Sequence, residues 1–212
     1  MILVLFGKSA SGKDSILKEI VKTGKYKQVI PTTSRPIRAN EVDGIDYNFI
    51  TKEQFLQKIE NNEFIEYRFY NTLYNGVPDV WYYGTEKQTF LPNNDYVCVV
   101  DVDGLNKLIE YFGRENIIVC YIEASDLIRK DRAKQRGTFS ETEWNRRLKD
   151  DTIKFSDERI AGMDYYVIND DMTAHIIAND KLHIRKGIIN GCRKDVKTIA
   201  KMILEKEIER NL

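Results

Sequence analysis

The sequence predicts an α/β fold, a doubly wound parallel sheet with an inserted lobe and a helical lid. Three observations carry this expectation. Apolar runs of strand length alternate with segments of helical periodicity along most of the chain. The first run, Ile2-Leu3-Val4-Leu5-Phe6, leads directly into the glycine-framed segment Gly7-Lys8-Ser9-Ala10-Ser11-Gly12-Lys13. Residues 32–95 break the alternation with a stretch richer in Tyr, Asn and turn residues, which reads as an insertion.

The elements follow in order. Residues 2–6 have no polar face and read as a strand covered on both sides. Residues 7–13 fit G-x-x-x-x-G-K, a phosphate-binding loop in its strand–loop–helix context. Small residues let successive N–H groups converge on an anion. The helix that follows adds its unpaired donors and partial positive charge. Gly7, Ser9, Ala10, Ser11 and Gly12 form the cradle, and Lys13 is placed to reach the outer phosphates of a nucleotide. The position after the lysine usually carries a hydroxyl for magnesium. Here it is Asp14, followed by Ser15. A carboxylate is also a magnesium donor, so Asp14 is the candidate metal ligand.

Helical spacing of Ile16, Leu17, Ile20 and Val21 predicts a helix over 14–22. Further helices are expected over 52–61, with Thr51 as N-cap, and over 104–112, 125–135, 140–160 and 194–209. Strands are expected over 47–50, 96–102, 117–122 and 165–168, with a weaker hairpin pattern in 173–193. This gives a core of residues 1–31 and 96–212, a lid near 132–150, and an inserted lobe of residues 32–95. Ligands of such sheets bind at the carboxyl ends of the strands, where residues 7–13 fall.

Composition narrows the function classes. Lys+Arg and Asp+Glu number 33 each, a balance that argues against a chain built to bind nucleic acid. No run approaches membrane-spanning length, so no membrane partner is expected. The first apolar run is too short for a signal peptide. Cys98, Cys120 and Cys192 lack paired or metal-ligand spacing, which points to a reducing, cytoplasmic setting.

A second site lies in the insertion. Arg35 and Arg38 flank Pro36 and form a fork suited to another phosphate. Tyr47 offers a ring and a hydroxyl. Glu66, next to apolar anchors, is acceptor-only when ionised and suits adjacent donors on a purine edge.

At these residues the sequence resembles the guanylate kinases, a phosphate-loop family of nucleoside monophosphate kinases. The family pattern T-T-R-x-x-R-x-G-E-x-x-G-x-D-Y-x-F, followed by N-N-x-F-I-E, is matched by Arg35, Arg38, Glu41, Gly44, Asp46, Tyr47, Phe49 and Asn61 through Glu66. Tyr82-Tyr83-Gly84-Thr85 looks like the family's Y-Y-G-[ST]. The resemblance implies that Arg35, Arg38, Tyr47 and Tyr83 hold the GMP phosphate. It implies that Glu66 reads N1–H and the 2-amino group, that Thr85 touches the carbonyl side, and that Asp103 contacts the exocyclic amine. Arg132, Arg136 and Arg147 match phosphate-facing arginines of the lid and following helix. Asn169, in V-x-N-D-D, matches a position near adenine. Lys13 and the three arginines are then the catalytic candidates, ATP the co-substrate, Mg2+ the metal, and GMP or dGMP the acceptor.

Four departures accompany the match. Asp14 replaces Ser/Thr, Pro31 replaces a phosphate-contacting Ser, Asn40 replaces a turn glycine, and residues 69–81 form a longer link. The aromatics of that link read as packing in preference to a flap over the base. The Gly-Lys-Asp-Ser form of the loop also resembles ribose 1,5-bisphosphate phosphokinases, which lack the guanine lobe. A catalytically inactive, phosphopeptide-binding module of the guanylate-kinase type is the remaining alternative.

Overall fold

The computed structural model describes residues 1–39, 41–74, 77–135, 139–156, 163–169, 174–180, 183–184, 200–201 and 203–205. In chain order the strands and α-helices are β1 (Ile2–Phe6), α1 (Lys13–Lys22), β2 (Lys27–Gln28), β3 (Thr32–Thr33), β4 (Asn48–Phe49), α2 (Lys52–Glu60), β5 (Phe64–Tyr74), β6 (Val77–Glu86), β7 (Tyr96–Val99), α3 (Val102–Phe112), β8 (Ile117–Glu123), α4 (Asp126–Gln135), α5 (Glu141–Lys154), β9 (Tyr165–Asn169), β10 (Ala174–Asp180) and β11 (His183–Ile184).

A seven-stranded sheet runs in the order β11-β10-β9-β8-β1-β7-β2. β1 lies between β8 and β7, parallel to both. Its side chains divide the core into two layers. Leu3 and Leu5 meet Ile16 and Ile20 of α1 and Ala200 and Ile203 of the C-terminal segment. Ile2, Val4 and Phe6 meet Leu105 and Leu108 of α3 and Phe155. Helices on both faces explain why β1 carries no polar residue. The sheet is mostly rather than wholly parallel, because β10 pairs antiparallel with β9 and β11 with β10. These antiparallel pairings fall within the segment 173–193 that reads as a hairpin. Cys98 on β7 and Cys120 on β8 are buried free thiols, one in each core layer. Burial pushes the Cys98 thiol up to about 12 and raises Cys120 as well.

A second sheet, β4-β3-β6-β5, is built within the insertion. Phe55 of α2 stacks on Phe64 at 4.4 Å and approaches Tyr82 at 5.4 Å. α2 starts in a capping box, with Thr51 Oγ1 accepting the Gln54 N–H and Gln54 Oε1 accepting the Thr51 N–H.

Several boundaries differ from the sequence reading for physical reasons. The strand expected over 96–102 ends at Val99, since the Asp101 side chain accepts the Gly104 N–H and starts α3 two residues before the expected position. The helix expected over 140–160 ends at Lys154, where Phe155 turns into the core. The longer link is built, over residues 69–74 and 77–81, as the far half of a long hairpin of β5 with β6. Its aromatics pack on one another, Tyr74 on Trp81 at 6.1 Å, Phe69 on Tyr82 at 6.0 Å and Tyr70 on Tyr83 at 5.6 Å, while Phe69 stays 58% exposed and Tyr74 44%. The helix expected over 194–209 lies outside the described residues except for helical turns at 200–201 and 203–205.

Candidate functional site

The carboxyl end of β1 opens into the phosphate loop, and the backbone path explains both of its glycines. Gly7 has φ 150°, and a Cβ there would lie 2.2 Å from the Ile122 carbonyl oxygen. Gly12 has φ 97°, and a Cβ would lie 2.3 Å from Asn169 Nδ2. Gly12 is also the N-cap of α1 and supplies no capping side chain. The first amides of the helix are thus left for an anion. Lys13 curls over the loop, its Nζ donating to the carbonyls of Gly7 at 2.8 Å and Lys8 at 2.9 Å.

The loop is braced from behind. Asn169 Nδ2 donates to the Ser11 carbonyl at 2.7 Å. Arg132 donates to the carbonyls of Ser11 (3.3 Å) and Asn169 (3.0 Å). Arg129, fully buried on α4, donates its Nε to the Ser9 carbonyl at 2.7 Å and pairs with Asp151 on α5. Asp151 in turn accepts the Ser9 N–H at 3.0 Å. Burial raises the Asp151 carboxyl, opposed by the charge of Arg129.

Across the cleft stands the lobe. Arg35 is buried on every side. It donates to Glu41 Oε1 and the Pro36 carbonyl, both at 2.7 Å, and its guanidinium lies 5.5 Å from the Tyr47 ring centroid. Burial raises the hydroxyls of Tyr47 and Tyr83, whose rings meet at 6.0 Å. The Asp14 carboxylate adds to the rise at Tyr47, so α1 and the lobe face one another electrostatically. Arg38 holds its backbone N–H on Glu41 at 3.0 Å while its side chain remains 60% exposed. Lys13, Arg38, Tyr47, Tyr83 and Arg147 line one cleft. Arg147 donates to Glu143 at 2.7 Å, and Arg146 with Arg147 holds that carboxyl down at about 2.

A second, adjoining cleft of about 680 Å³ contains Glu66, Arg68, Asp101 and Asp103, a volume within the range of small-molecule sites. Glu66 is buried and accepts Thr85 Oγ1–H from the neighbouring strand at 2.7 Å. Burial raises its carboxyl, while Arg68 and Thr85 act against the rise. Asp101 is pushed up by burial, but Arg68, the Gly104 N–H and Lys154 outweigh that and hold it low.

Of the sequence-expected residues, Gly7, Ser9, Lys13, Arg38, Tyr47, Tyr83 and Arg147 line one cleft and Glu66 and Asp103 the adjoining one. Arg132 and Asn169 both donate to the Ser11 carbonyl of the loop. Ser15 is exposed on the first turn of α1. Arg136 lies outside the described residues, as does Asn40. Sequence reasoning passed over Arg68, Asp101, Arg129, Asp151 and Lys154. Arg68 had a signal, since period-two alternation on β5 puts it on the face of Glu66. Arg129 and Asp151 had none, because they meet across 22 residues of chain.

Comparison with known proteins agrees with this geometry. The sequence profile of the family described as Guanylate kinase matches residues 1–181. A guanylate kinase of Caldanaerobacter subterraneus subsp. tengcongensis is 34% identical over 177 residues, covering 81% of this chain and 81% of that protein. One from Clostridioides difficile is 29% identical over 212 residues, covering 97% and 95%. The crystal structure of guanylate kinase from Anaplasma phagocytophilum has the same fold, with a TM-score of 0.63 at 22% identity over 97% of this chain and 83% of that one. The chain belongs to the guanylate kinase family.

Proposed function

We propose that this protein transfers the γ-phosphoryl group of ATP to GMP, giving ADP and GDP. One observation carries the reading. A phosphate loop with its lysine in place shares a cleft with the Arg38, Tyr47 and Tyr83 cluster, and that cleft adjoins a buried carboxylate pocket at Glu66. The proteins similar to this chain that are named guanylate kinase support it.

The chemistry asks for positioning and charge neutralisation. A phosphate oxygen of GMP forms the new bond to the γ-phosphorus as the bond to the ADP oxygen breaks. No general base is needed, because the attacking oxygen is already ionised. In this reading Gly7, Ser9, Ala10, Ser11, Gly12, Asp14 and Ser15 surround the ATP phosphates, Lys13 meets the transferring group, and Asn169 supports the loop. Arg132, Arg136 and Arg147 offset the charge that spreads over the phosphoryl oxygens. Arg35, Arg38, Tyr47 and Tyr83 hold the acceptor phosphate. Glu66, Thr85 and Asp103 read the base.

Among the described residues no group of three His, Cys, Asp or Glu converges as a metal cage. A lone carboxylate, Asp14, at the head of α1 fits a Mg2+ held mainly by nucleotide phosphates and water. Bound there, the ion would neutralise phosphate charge and orient ATP. No helix among the described residues is long and apolar enough to cross a membrane.

A coupled ADP-release assay with ATP and Mg2+ tests the reading, using GMP, dGMP, AMP, UMP and ribose 1,5-bisphosphate as acceptors. Turnover confined to GMP or dGMP is expected. Turnover only with ribose 1,5-bisphosphate, or none in folded protein, overturns it.

A further inference from the structure

Arg68 has no role in the reading above, yet it occupies the junction of the two clefts. It follows Glu66 by two residues on β5 and shares its face. Its Nη1 lies 3.4 Å from Glu66 Oε2, a long contact. Its Nε lies 3.8 Å from Asp101 Oδ2 and is buried with no hydrogen-bond partner. Buried donors are normally paired, so this guanidinium holds donor capacity in reserve inside a ligand cleft.

The order of groups along this wall is informative. Thr85 donates to Glu66 Oε1, and Arg68 stands at Oε2. From Arg68 towards Thr85 the wall therefore presents donor, acceptor, acceptor. The pairing edge of guanine presents the complement: the 6-oxo acceptor, the N1–H donor and the 2-amino donor. Adenine mismatches, because its 6-amino donor would face the guanidinium and its N1 acceptor would face a carboxylate. Thr85 has one proton and spends it on Glu66. Arginine is donor-only and pairs recurrently with the guanine carbonyl edge.

We propose that Arg68 is a specificity-determining residue whose guanidinium donates to the 6-oxo group of the purine that Glu66 reads at N1 and the 2-amino group. Thr85 then reads the base through Glu66, which it orients, and the carbonyl is left to Arg68. The inference rests on the GMP-kinase reading and deepens it. Asp101 retains Arg68 at this position, and the Tyr83 ring, 6.0 Å from its guanidinium carbon, supports it from the side.

The test compares kcat/KM for GMP, 6-thio-GMP and IMP at saturating ATP. 6-Thio-GMP keeps both donors and replaces the 6-oxo acceptor by a larger, weaker sulfur acceptor, and IMP lacks only the 2-amino group. Wild-type protein should prefer GMP to 6-thio-GMP. Arg68→Met should lower kcat/KM for GMP about 5- to 150-fold, the range of one good arginine–guanine pairing. It should bring the GMP to 6-thio-GMP ratio towards one, leave the GMP to IMP ratio unchanged, and leave the ATP KM alone. Arg68→Lys should retain part of the discrimination. A wild-type protein that treats GMP and 6-thio-GMP alike overturns the inference even if no variant folds. So does an unchanged ratio in folded Arg68→Met, or collapse of the ratio in Thr85→Val instead. Wild-type protein that turns over none of the three overturns the GMP reading itself, a distinct result.

Discussion

The two sides of the cleft are made of different material. The phosphate loop is a backbone construction: its glycines set the path, and Lys13, Asn169, Arg129 and Arg132 all bind its carbonyl oxygens. The lobe is a side-chain construction, in which Arg35, Glu41, Tyr47, Glu66, Arg68 and Thr85 act on one another. A backbone site depends on what braces it from behind. A side-chain site can be retuned one residue at a time. The first should fail globally when disturbed, and the second selectively.

The largest effect should come from the brace. Asp151→Ala leaves the buried Arg129 with only the exposed Asp126 as a carboxylate partner and should cost about 3–5 kcal/mol of stability, read by urea unfolding. The protein that remains folded should bind GMP as before. Next, Lys13→Ala should lower kcat by about 10²–10³-fold or more, with GMP binding by calorimetry preserved. Loss of GMP binding in that variant would mean that the two sides are not separable. Glu66→Gln is the selective counterpart. It removes the charge at the base edge and should weaken GMP by about 10- to 100-fold, on the order of 1–3 kcal/mol, at unchanged ATP KM. A shifted ATP KM would erase the distinction. Thr51→Ala, remote from both sides, should cost about 1 kcal/mol through loss of the helix cap and leave both KM values alone.

The gentlest perturbation is pH. Burial pushes the Glu41 carboxyl up, but Arg35 and the Arg38 N–H outweigh it and hold it below its ordinary 4.5. A depressed carboxylate contributes stability that is fully present above its unfolded value and lost as pH falls through its folded one. The melting temperature should therefore hold steady between pH 7 and about 5.5 and decline below about 4.5. Glu41→Gln should make that decline shallower.

The same contrast governs what could be read from the chain alone. Backbone sites announce themselves through glycine spacing, because only certain residues permit the path. Residues 7–13 were legible for that reason, and so were β1 and α1. The lobe was legible only as a long pattern of spaced residues whose assigned roles came from family resemblance. The electrostatics were not legible. Nothing local marks the buried Arg129 and Asp151 as one ion pair at Ser9, since tertiary packing creates it. The hairpin of β5 and β6 escaped notice because three of its eight aromatics, Tyr67, Phe69 and Tyr74, face solvent, which blurs the alternation that identifies a strand.

The two buried thiols give the molecule built-in timers. Cys98 pairs in register with Val4 and Cys120 with Leu5, so each lies beside the strand that feeds the phosphate loop, one from either flank. Burial raises both thiols and seals them from solvent, so alkylating reagents should not modify them in the native state. Their labelling therefore counts the moments when the central sheet comes apart. A nucleotide that grips the loop should slow both clocks together, and a ligand confined to the lobe should slow Cys98, the thiol within electrostatic reach of Glu66, more than Cys120.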